Sequence, residues 1–128
     1  MTRDRQLEIS AWLLAVTQLV HGVTPAHTGV HAIVGPVVGV VLLGASIAAI
    51  AGFRKGRTWA RPLVGWTGVV VVVGFVAYHA LPITSAATNP YFGKSVPVTA
   101  WISVGVTIAA GATAAALSFA RPSHQVSR

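Results

Sequence analysis

The side chains best suited to chemistry in this sequence are its histidines, of which there are five: His21, His27, His31, His79 and His124. His27 and His31 stand four residues apart, so a helix containing both would carry both imidazoles on one face. His21 and His79 each lie shortly before a proline, in Val20-His21-Gly22-Val23-Thr24-Pro25 and Tyr78-His79-Ala80-Leu81-Pro82. Neutral imidazole ligates zinc, copper and haem iron and needs no carboxylate partner. Two ligand sets follow. His21 and His79 could hold one haem b from opposite sides. Alternatively His21, His27, His31 and His79 could supply the ligands of a copper or zinc ion. The same residues without a ligand read as polar helix ends at a water interface, and His124 stands apart in the C-terminal tail.

Other chemistries are excluded by composition. The only carboxylate side chains are Asp4 and Glu8, and none follows from Ile9 to Arg128. That removes paired-carboxylate catalysis, acidic calcium sites and carboxylate-bridged metal centres. There is no cysteine, which removes thiolate zinc sites, disulfides and Cys nucleophiles. No nucleophile, base and acid can be assembled from what is left, so an enzyme acting without a cofactor is not expected.

The elements that must position the histidines are membrane helices. Of 128 residues 54% are hydrophobic and 9% charged, against about 25% charged in a soluble domain. Four stretches approach the roughly 20 apolar residues that a bilayer crossing needs. They run from about 7 to 23, 32 to 53, 62 to 81 and 98 to 120. The first is the most polar, with Glu8, Gln18 and His21. The third contains Val69-Val70-Val71-Val72-Val73, strand formers in water, but a lipid-exposed strand would leave its backbone unpaired. The expected fold is therefore all-α: a single membrane domain over residues 1–128, built as a four-transmembrane-helix bundle.

Basic residues orient it. Arg3, Arg5, Arg54, Lys55, Arg57, Arg61, Arg121 and Arg128 fall on one side of such a bundle, and only Lys94 on the other. The positive-inside rule then places both termini and the middle loop in the cytoplasm and His21, His27, His31 and His79 on the outward side. The formal charge of +7 is a topology signal of this kind, so nucleic acid is not an expected partner. A cleaved secretory signal is the competing reading of the N-terminus, but Glu8, Gln18 and His21 interrupt its apolar region. Abundant Ala, Val, Gly and Arg suit a multi-pass protein of a bacterial inner membrane.

Stripes at helical spacing mark the expected buried faces. They are Ser10, Leu14, Thr17 and His21; His31, Gly35, Gly39, Leu42 and Ser46; Gly65, Gly68, Val72, Phe75 and His79; and Ser103, Thr107, Gly111, Ala114 and Ser118. Small residues let membrane helices approach closely, and Gly35 and Gly39 form a GxxxG that could join two copies. The matching ends of the first and third spans suggest a 2+2 hairpin repeat. In the last loop, Tyr91 and Phe92 read as interfacial anchors in a Pro/Gly turn, with a lid over the histidines as the alternative.

Length and span count resemble those of the small multidrug exporters and small fluoride channels. The exporters' buried glutamate has no counterpart, because Glu8 sits at the membrane edge beside Arg5, and no family is assigned. The expected function is a non-catalytic bundle or subunit whose outward histidines bind haem or a transition metal. The alternatives are a small proton-linked transporter or channel and a purely structural subunit. The expected partners are the lipid bilayer and further copies or a larger membrane complex.

Overall fold

A computed structural model describes residues 2–23, 31–81 and 90–120, with the side chains of residues 31–34 excepted. The described chain is helical, with no strand among those residues. Helix α1 covers Arg3–Val23, α2 His31–Arg54, α3 Ala60–Phe75 and α4 Val98–Phe119; α3 continues as a π-helical turn over Val76–Ala80. Three stretches are long and apolar enough to cross a membrane: Gly35–Arg54, Ala60–Ala80 and Val98–Phe119. The helices pack in cyclic order, α1 on α2, α2 on α3, α3 on α4 and α4 on α1.

The α3–α4 contact is the most extensive, and its closeness follows from glycine. A Cβ built on Gly68 would run into the Gly111 carbonyl, and one on Gly111 would come within 2.9 Å of the Gly68 carbonyl. The two backbones therefore touch, which is how helices gain contact area where lipid offers no hydrophobic drive. All five stripe residues of α4 are buried, and Gly65, Gly68 and His79 are buried on the α3 side. Gly39 behaves differently: among the described residues nothing lies within 4 Å of its would-be Cβ.

Arginines fasten the basic end. The last carbonyls of a helix have no partner within it. Those of α4 are met by Arg3, which donates to Leu117 O at 3.0 Å and also to Ala120 O. Arg61 Nε donates to Ser118 O at 2.9 Å, and Ser118 Oγ donates back to Arg61 O at 2.6 Å. Arg54 Nε donates to Glu8 Oε1 at 3.0 Å, joining α2 to α1. Helix α2 ends in a Schellman motif. Gly56 has a φ of +63°, its N–H donates to Phe53 O at 3.0 Å, and Arg57 N–H donates to Gly52 O at 2.8 Å.

The expectation of an unbroken α-helix to residue 81 is corrected by the π-turn. Pro82 disfavours helical backbone at the residue before it, and Leu81 is extended with ψ of 135°. The helix widens just before this stop, and Leu81 N–H donates to Val76 O at 3.0 Å, five residues back. π-turns are uncommon and are found frequently at functional sites.

The α3–α4 contact yields a direct prediction. Gly68→Val should lower stability in detergent by about 1–3 kcal/mol, as overpacking does. Gly74→Ala, where nothing lies within 4 Å, should leave stability unchanged or raise it. Thermal unfolding followed by circular dichroism reads both.

Candidate functional site

The π-turn carries His79 to the end of the bundle opposite the arginines, where it meets His21 from α1. Both are buried, at 2% and 7% exposure. Their ring centroids lie 5.1 Å apart in an edge-on arrangement, with 73° between the planes. Phe75, one helical step before His79, lies 4.7 Å from the His21 ring and 5.7 Å from that of His79. Helix α4 contributes Ser103, whose Oγ is 3.0 Å from His21 Nδ1.

Ser103 Oγ is also 2.8 Å from Ala100 O; with its proton given to that carbonyl, it would accept from His21 Nδ1–H and leave the ring's lone pair on Nε2, the form that ligates metals. Thr107, one turn further along α4, donates to Ser103 O at 2.7 Å and lies 3.3 Å from Thr17 O of α1. The α1–α4 seam below the histidine pair is thus hydroxyl-bonded.

The loop after α3 closes the site. Tyr91 N–H donates to His79 O at 3.0 Å, satisfying a carbonyl that the helix end leaves without an internal partner. The Tyr91 ring lies 4.4 Å from the His79 ring and 5.3 Å from that of Trp101. Tyr91 is only 2% exposed, whereas Phe92 is 58% exposed. The anchor reading is corrected for Tyr91, whose backbone is tied to His79 and whose ring covers it, as in the lid alternative. The Tyr91 hydroxyl is buried with no hydrogen-bond partner among the described residues. Burial, and then the neighbouring Tyr78, raises its pKa above the ordinary phenol value, so it is neutral at pH 7.

Of the four proposed ligands, His21 and His79 come together. His27 and the side chain of His31 lie outside the described residues, although α2 does begin at His31. Among the described residues no group of three or more His, Cys, Asp or Glu side chains is gathered. The site is a histidine pair with a serine and a tyrosine; the sequence had paired His21 with His79 and placed Phe75 and Ser103 on inward faces without joining them to that pair. Tyr91 was missed as a site residue. Its signal was position: it falls in a Pro/Gly turn that must return the chain past the end of α3.

Bond lengths decide what the pair could hold. With a metal–nitrogen bond of about 2.0–2.1 Å, each ring centroid would sit about 3.2 Å from the metal. Two rings on opposite faces of a haem would then be about 6.4 Å apart with the macrocycle between them, whereas two on a tetrahedral ion would be about 5.2 Å apart. The observed centroid separation of 5.1 Å is near the second value. No known protein family, curated protein or solved structure matches the chain. The functional reading therefore rests on this geometry.

A buried hydroxyl with no partner is a liability that Phe would remove. Tyr91→Phe should hold or raise thermal stability in detergent. Tyr91→Ala should lower it by about 3 kcal/mol, the usual cost of deleting a buried ring. A loss of more than about 1 kcal/mol in Tyr91→Phe would show that the hydroxyl has a partner.

Proposed function

We propose that the chain is a non-catalytic four-span membrane bundle whose His21–His79 pair binds one copper or zinc ion. The observation that carries this reading is the meeting of two buried imidazoles from different helices at 5.1 Å. His27 or His31 would complete the coordination from the loop side. Ser103 would act as the partner that orients His21, as groups behind metal-bound histidines do. With no carboxylate beyond Glu8 in the sequence, the ion's charge would be uncompensated.

The membrane part of the reading makes α1 the fourth span. Its polar residues Ser10, Gln18 and His21 are buried, while its exposed positions include Ile9, Trp12, Leu13, Val16, Leu19, Val20 and Val23. A helix facing water would show the reverse. Gln18 Nε2 donates to Ser46 Oγ of α2 at 3.0 Å, so the residues that lower α1's apolar score serve contacts within the bundle. The basic end then faces the cytoplasm, both termini with it, and the histidine end faces outward. The open Gly39 suits association with a second copy.

Two experiments test the reading. Elemental analysis of the protein purified in mild detergent should find about one copper or zinc per chain. Removing one ligand should weaken affinity at least as much as loss of an orienting partner, about 10–100-fold, so His21→Ala and His79→Ala should each do so. Ser103→Ala should fall within that range. A Soret band in the visible spectrum would replace the ion with haem, and a colourless protein that takes up no metal would overturn both. Since the chain has no cysteine, a membrane-impermeant maleimide tests topology on intact cells. It should label Ser95→Cys and spare Thr58→Cys; the opposite pattern would invert the orientation.

A further inference from the structure

At the opposite end of the molecule the basic residues divide into two groups. Arg3 and Arg61 are committed to carbonyls of α4, and Arg54 to Glu8. The side chains of Lys55 and Arg57 make no hydrogen bond or ion pair with any described residue, and both residues are exposed. They do not point at random. Together with Trp59, Gly52, Ala48 and Ala51 they line one open concavity of about 440 Å³ between the end of α2 and the start of α3.

The walls of this notch are held in place. The Schellman turn at Gly56 fixes Lys55 and Arg57 on either side of a left-handed residue. The Trp59 ring lies directly on Gly52, where a Cβ would come within 2.9 Å of it. Ala51, Ala48 and Gly44 follow one another along α2 in steps of three and four, and among the described residues nothing lies within 4 Å of a Cβ at Gly44. The concavity thus opens onto a strip of small residues on a helix that is apolar enough to span a membrane.

We propose that this notch binds one anionic phospholipid, its phosphodiester between Lys55 and Arg57 and an acyl chain along Ala51, Ala48 and Gly44. Charge complementarity selects the headgroup, since no carboxylate lies within ion-pair distance of either cation among the described residues. The strip of small residues selects a lipid over free phosphate, because a soluble anion would leave Ala48 and Gly44 uncovered. Trp59, 48% exposed, sits at the headgroup level, where indole is favoured. Basic pockets between spanning helices are a recurrent form of anionic lipid site. This inference is independent of the metal reading.

Native mass spectrometry of the full chain, released from mixed micelles of phosphatidylglycerol and phosphatidylcholine, tests it. The wild type should retain phosphatidylglycerol over phosphatidylcholine by at least about fivefold, the effect expected of a single cation at an anionic surface. The preference should vanish in Lys55→Gln/Arg57→Gln. Ala51→Trp, which fills the concavity and leaves the charges, should lower retention of both lipids. Arg5→Gln, an exposed cation outside the notch, should change nothing. Equal retention of the two lipids, a preference that survives the double substitution, or displacement by millimolar glycerol phosphate would each overturn the proposal. Circular dichroism on each variant separates loss of binding from loss of fold.

Discussion

The backbone contact between Gly68 and Gly111 sets the geometry of both ends of the bundle. Two antiparallel helices that touch at one point have their remaining residues in register by counting outward from it. Eleven residues from Gly68 is His79 and eleven back from Gly111 is Ala100, so the histidine arrives about one turn beyond Ser103. In the other direction Arg61 and Ser118 each lie seven residues from the crossing and exchange two hydrogen bonds. A side chain at either glycine would separate the helices and shift both ends together.

A second constraint acts on what the bundle encloses. Lipid rewards neither polar groups outside nor apolar groups inside, so helices associate through close fit and internal hydrogen bonds. Ser10, Ser103 and Thr107 each donate to a carbonyl of their own helix at 2.7–2.8 Å. That leaves hydroxyl lone pairs available across a contact, as Ser103 Oγ is for His21. Gln18 is the less settled member, since its Nε2 is bonded twice while its buried Oε1 has no partner among the described residues. With carboxylates confined to the first eight residues, imidazole is the group best placed to exchange protons or bind ions in this interior.

The helices and their inward faces were legible in the sequence because both follow from periodicity. Ser103, Thr107, Gly111, Ala114 and Ser118 are separated by threes and fours and are all buried. The same arithmetic put His21 and His79 on inward faces, but it could not say that the two rings touch. That depends on how far α1 slides along α3, which no local pattern records. The π-turn was likewise hidden, since it reflects a compromise between a helix and Pro82 that a fixed period ignores. Tyr91 was misread as an anchor because a Pro/Gly turn predicts a change of direction and not which aromatic folds back. Gly39 departs from the inward face that its spacing suggested: among the described residues nothing lies within 4 Å of its would-be Cβ.

All of this requires that the imidazoles of His21 and His79 be neighbours in a bilayer. Magic-angle-spinning NMR on the full chain, labelled with ¹³C and ¹⁵N in histidine and reconstituted in lipid, measures that directly. The account predicts a through-space cross-peak between the two ring systems, consistent with centroids 5.1 Å apart, that disappears in His79→Ala. Well-resolved ring signals from both residues without such a cross-peak would contradict it.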